Sequence, residues 1–168
     1  MRKGALLFMT LAVVMIIVGA LFVYKSYSND TGSASLKVEG GTLTNVSAAY
    51  LTFETVSIYS SSGKWSNYSI ANTTVNILGR TASNATPLAT LVLKAQSYTM
   101  FTLLLKNVTI VYQGKPLSMK LTSSLASAKY LLNITSGSSY TVIVKFALNS
   151  DINLLTHQFT PNIQGVIS

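Results

Sequence analysis

Apolar side chains at every second position constrain the fold of this chain more than any other feature. Near the C-terminal end, Tyr140, Val142, Val144 and Phe146 fall on one phase, with Thr141 and Lys145 among the polar residues on the other. Successive side chains of a strand point to opposite faces, so this spacing buries one face and wets the other. The pattern returns along the chain. Leu36 and Val38 share a phase within 33–39, before Gly40-Gly41 ends the run, and Tyr130, Leu132 and Ile134 alternate with Asn133 and Thr135. Over 49–59, Leu51 and Phe53 lie on one phase and Val56 and Ile58 on the other, which predicts a bulge or a bend near Thr55. Further strands are predicted at 64–69, 73–78, 98–105, 108–112 and 117–121, with turns at Ser60-Ser61-Ser62-Gly63 and Gln113-Gly114-Lys115-Pro116. The apolar stretch 88–93 fits more than one element type, and a last strand over 158–167 is interrupted by Pro161, a mark of an edge.

Roughly eight short strands with closely spaced turn signals predict an all-β fold, an antiparallel β-sandwich of immunoglobulin-like or related topology, over residues 33–168. Composition agrees with this. The chain has 22 Ser, 19 Thr and 11 Asn, and is 10% charged against about 25% in ordinary soluble domains, so neutral polar groups must carry solubility. No cysteine is present, which removes both a disulfide framework and a thiolate metal site. The net charge of +8 does not mark a nucleic-acid partner, because Lys37, Lys64, Lys94, Lys106, Lys115, Lys120, Lys129 and Lys145 stand apart with no basic cluster. The only acids are Asp30, Glu39, Glu54 and Asp151, so folding stability is expected to depend weakly on pH in acid.

Residues 1–24 read differently. Arg2 and Lys3 precede an uncharged run from Gly4 to Tyr24, long enough as a helix to reach about 31 Å and cross a bilayer. Positive residues at its start keep the N-terminus in the cytoplasm and place the rest outside. Three fates stay open: a signal peptide cut after Val18-Gly19-Ala20, a prepilin-type cut after Gly4, or an uncleaved anchor. Residues 25–32 then form a short tail or linker.

Export is supported independently by Asn-x-Ser/Thr tripeptides at Asn29, Asn45, Asn67, Asn72, Asn84, Asn107 and Asn133, where chance placement of Ser and Thr gives about 2.7. Within a strand, Asn and the Ser/Thr two residues on share a face, while the residue between points the other way. The intervening residues include Val46, Tyr68, Val108 and Ile134, so N-glycans outward and apolar side chains inward are expected.

Catalytic chemistry finds little to use. His157 is the only histidine, Asp151 stands six residues before it, and no nucleophile elbow is present. One imidazole cannot hold zinc or copper, and Glu39 with Glu54 forms a glycosidase pair by count only; both are expected on solvated strand faces or edges. Trp65 with Tyr59 and Tyr68 could form a sugar platform, but an inward tryptophan covering the end of the sandwich is the plainer expectation. The chain is therefore read as no enzyme, with no cofactor and no metal.

Four segments form a recognisable set: Val56-Ser57-Ile58-Tyr59 followed by Ser62-Gly63-Lys64-Trp65, then Ser97-Tyr98-Thr99-Met100-Phe101-Thr102-Leu103, Gly137-Ser138-Ser139-Tyr140 leading into Val144-Lys145-Phe146, and Thr160-Pro161-Asn162-Ile163. Together they resemble an exported β-sandwich family of unknown function, the DUF4382 type. Lys145 and Asn149 stand where acidic residues are common in that family, and no lipobox cysteine is present, so neither an ion site nor a lipoprotein role carries over. Composition and the N-terminal segment are also similar to subunits of crenarchaeal surface filaments, both pili and threads. That resemblance implies a homopolymeric, extracellular structural subunit. After a cut at Ala20, the apolar tail Leu21-Phe22-Val23-Tyr24-Lys25-Ser26-Tyr27 could complete a neighbour's sheet. The alternative is a membrane-anchored monomeric surface module that binds a glycan or an envelope protein.

Overall fold

The computed structural model of the chain describes residues 30–167. They form β1 (Thr31–Gly40), β2 (Val46–Ser60), β3 (Trp65–Asn76), a 3-10 helix (Ala82–Asn84), β4 (Thr86–Lys94), β5 (Ser97–Tyr112), β6 (Lys115–Leu121), β7 (Leu125–Asn133), β8 (Ser139–Phe146), a single turn α1 (Leu148–Asp151), β9 (Ile152–Asn153), β10 (Gln158–Phe159) and β11 (Ile163–Ile167). Two sheets result. The smaller has the order β11-β8-β1-β4, and the larger β3-β2-β5-β6-β10-β9, with β7 also on β5. β7 pairs with the first part of β5 and β6 with the last, so the two share one side of that long strand end to end.

Alternation builds the interior. In β8, Val142, Val144 and Phe146 are buried, and Leu36, Leu51, Phe53, Ile58, Phe101, Leu103 and Leu105 join them in one core between the sheets. Phe53 of β2 meets Phe146 of β8 across that core, ring centroids 6.0 Å apart. The bulge expected near Thr55 is present, since the register of β2 shifts between Phe53 and Thr55 against both neighbours. Gln113 and Gly114, at φ 50° and 77°, make the hairpin turn between β5 and β6, where two left-handed residues match the strand twist. Gly32 serves a close approach: a Cβ there would stand 2.7 Å from the Thr135 carbonyl oxygen and 2.9 Å from that of Ser138.

The sandwich is mixed. Most pairings are antiparallel as expected, but β1 runs parallel to β8 and β10 parallel to β6. Three predicted boundaries also change. The strands expected at 64–69 and 73–78 are one strand, β3, kinked where Ala71 and Asn72 adopt φ 51° and 55°. Those expected at 98–105 and 108–112 are likewise one strand, β5. The last predicted strand is two, β10 in the large sheet and β11 at the edge of the small one, with Pro161 between them where the chain changes sheets. The predicted leader over 1–24 and the part of the predicted 25–32 tail before Asp30 lie outside the described residues, while Thr31 and Gly32, expected in that tail, begin β1.

Candidate functional site

Strand geometry separates the acceptor asparagines from the residues that follow them. Asn45, Asn67, Asn72, Asn84, Asn107 and Asn133 are all exposed, whereas Val46, Ala85, Val108 and Ile134 are buried and Tyr68 packs against the core. A period of two enforces this wherever the tripeptide lies in a strand. Two of the asparagines are left-handed, Asn45 in the turn before β2 at φ 62° and Asn72 at the kink of β3 at φ 55°, a conformation that asparagine tolerates better than most residues. Asn133 Oδ1 accepts a hydrogen bond from Ser97 Oγ at 2.6 Å, and Asn84 Oδ1 one from the Thr81 N–H at 2.6 Å. In both the amide nitrogen, the atom a glycan would use, stays outside those bonds. Asn29, the tail residues Leu21, Phe22, Val23, Tyr24 and Tyr27, and the possible cleavage sites at Gly4 and Ala20 fall outside the described residues.

The first surface of interest is the outer face of the large sheet. Register aligns Trp65, Tyr59, Met100 and Lys129 in one row across β3, β2, β5 and β7, and Asn67, Ser57, Thr102 and Ser127 in the next. Trp65, Met100, Asn67, Ser57, Thr102 and Ser127, together with Leu125, line a shallow depression of about 520 Å³. Trp65 is 50% exposed and lies at 5.0 Å and 47° against the Tyr59 ring. Thr102 and Ser127 share a hydroxyl hydrogen bond of 2.9 Å. The inward tryptophan expected from the sequence is thus corrected. The signal for its true direction was present, because Trp65 stands two residues before Asn67 on the same strand and so shares its outward phase.

The second surface is a groove between the facing edges of the two sheets, lined by β3 from Asn67 to Thr73 and by β4 from Leu88 to Val92, with a volume of about 550 Å³. Among the described residues, β3 pairs only with β2 and β4 only with β1. Its floor is already packed: Ile70 is 8% exposed, Leu88 7% and Leu91 3%. The Tyr68 hydroxyl reaches across to the Val92 carbonyl at 3.4 Å, and burial raises its pKa above the ordinary tyrosine value. At one end of the groove the Ala95 N–H donates to the Asp30 carbonyl at 2.7 Å, so the described chain begins beside the end of β4.

The ionisable groups do not converge. Glu54 is exposed, but Glu39 is buried at 5%, against the solvated position expected, because β1 lies between β4 and β8 and not at an edge. Asp151 is buried as well, and burial pushes its carboxyl up to about 6, opposed by hydrogen bonds from the Asn162 and Ala147 N–H groups and from Ser150. His157 is exposed in the turn between β9 and β10. Among the described residues no group of three or more His, Cys, Asp or Glu is placed to hold a metal ion, and no helix is long and apolar enough to cross a membrane.

Comparison with known proteins adds the family. No curated protein matches the chain, and no solved structure does. The family model described as domain of unknown function (DUF4382) matches residues 31–162, from the first residue of β1 to the residue before β11. This sandwich, which is nearly the whole of the described chain, therefore belongs to the DUF4382 family.

Proposed function

We propose that this chain is an exported structural subunit of a cell-surface filament, in which residues 21–27 of one copy add as a strand to the β4 edge of the next. The observation that carries the reading is that β4 pairs, among the described residues, only with β1, because an edge free along the groove offers main-chain donors and acceptors to an incoming strand. Asp30, the first described residue, lies at the Lys94 end of β4, on the side that pairs with β1. Seven extended residues span about 23 Å, enough to follow most of β4. Leu21 and Val23 share one phase of the tail and Phe22 the other, so one set can face the groove floor. A contact of tail on groove is head-to-tail and does not close on itself, so it propagates as a fibre. The outward acceptor asparagines fit an extracellular surface.

Deleting residues 21–27 tests this. Export and glycosylation are expected to persist while polymers vanish from electron micrographs of the cell surface; filaments that survive the deletion overturn strand addition. The N-terminus of the surface protein separates the rival readings. A start at Leu21 fits the donor strand, a start at Ala5 makes residues 5–24 a helical filament core, and a start at Met1 fits an anchored monomer.

A further inference from the structure

The outer-face depression is lined by an exposed indole, which is tilted against the Tyr59 ring, by a row of hydroxyls, and by an asparagine of an Asn-x-Ser/Thr tripeptide. We infer that its occupant is the N-glycan carried by Asn67 itself, folded back so that its first sugar stacks on Trp65. This inference rests on the reading of the chain as exported and glycosylated.

Spacing is the first argument. Residues two apart on a strand stand about 6.6 Å from each other on one face, so Trp65 lies beside the Asn67 amide nitrogen, where the first sugar ring must begin. No side-chain hydrogen bond within the described residues engages Asn67, unlike Asn84 and Asn133. Chemical character is the second argument. A pyranose has an apolar C–H face and a rim of hydroxyls, so it needs an aromatic surface beside neutral hydrogen-bonding groups. Trp65 presents that surface, held at an angle by Tyr59, and Ser57, Thr102 and Ser127 form the neutral row next to it. No charged side chain lines the depression, which suits a neutral sugar. Met100 and the 53% exposed Leu125 continue the apolar rim for sugars further along. Exposure is the third. A half-exposed tryptophan on a sheet face loses less water-exposed apolar area than a covered one, and a sugar tethered two residues away covers it with little further loss of translational freedom.

Because Trp65 is the only tryptophan in the chain, its fluorescence reports on this depression alone. The protein is taken from its glycosylating host as wild type, Asn67→Gln and Asn72→Gln, and quenching of the indole by acrylamide is measured. Asn67→Gln is expected to raise the quenching constant about twofold, while Asn72→Gln, on the same strand, leaves it unchanged. Mass spectrometry of the glycopeptide spanning residues 65–80, which contains both Asn67 and Asn72, is expected to find sugar on Asn67. Equal quenching in wild type and Asn67→Gln overturns the inference, and so does a bare Asn67 with sugar at other acceptors; both leave the export reading standing. Sugar at none of the seven tripeptides overturns both.

Discussion

Asp151 ends the single turn of α1 with a carboxyl that burial holds up to about 6, against an ordinary value of 3.8. Between those two values the folded chain binds a proton that the unfolded chain does not. The stabilisation is therefore complete below about pH 4, declines as pH rises through about 6, and is absent above. With the full shift discounted for solvent screening, it amounts to about 1–2 kcal/mol. Wild type is expected to melt higher at pH 4 than at pH 7, and Asp151→Asn to lose that difference; equal melting temperatures for wild type at the two values exclude the effect. The flat acid profile expected from the sequence came from counting carboxylates, and a count carries no information about burial. Glu39 shows the same gap, since its polarity suggests a wet face while its strand sits inside a sheet. Trp65 is the opposite case. Its direction followed from the phase of Asn67, yet size and hydrophobicity pointed inward.

At the scale of elements, the alternation along β1 and β7 was legible because one face of each strand is more deeply buried than the other, and in β8 it was legible although Ile143, on the opposite phase, is buried too. Continuity was harder to read. Lys106 and Asn107 look like a turn, but they are exposed residues within β5, where β2 and β5 slip in register between Thr52 and Phe53. The parallel partners were not legible, since β1 and β8 meet across about a hundred residues and no local pattern encodes the choice. What joins the sheets is side-chain contact between central strands. Phe53 lies in β2, flanked by β3 and β5, and Phe146 in β8, flanked by β1 and β11, so their tilted rings bridge the middle of the sandwich. Phe53→Ala is expected to destabilise the domain by about 3–5 kcal/mol through lost transfer energy and an unfilled cavity. Urea unfolding should show a lowered midpoint with an unchanged slope, whereas an unfolding free energy within about 1 kcal/mol of wild type would remove Phe53 from the centre of the core.

For the whole molecule, the groove between β3 and β4 decides how folding and assembly are related. If a neighbour's strand were needed to complete the core, the floor of the groove would lie open without it. Ile70, Leu88 and Leu91 are instead at most 8% exposed within one chain, with no neighbouring copy, and Phe53, Phe101 and Phe146 are fully enclosed. Strand addition at β4 would therefore gain mainly from edge hydrogen bonds and from the tail's own apolar residues leaving water, each copy folding first and linking afterwards. A chain shortened to begin at Asp30 is accordingly expected to be a folded monomer, with cooperative thermal unfolding and light scattering of one copy. A shortened chain that is molten or aggregated would mean that the tail belongs to the fold, and assembly would then have to precede or accompany folding. The two orders differ in their dependence on concentration. A subunit that folds alone unfolds at a temperature independent of its dilution, while one completed by its neighbour loses stability as the partner is diluted away. If the chain assembles as proposed, melting the full-length protein over a hundredfold range of concentration is expected to shift only the loss of polymers, leaving the unfolding of the sandwich in place.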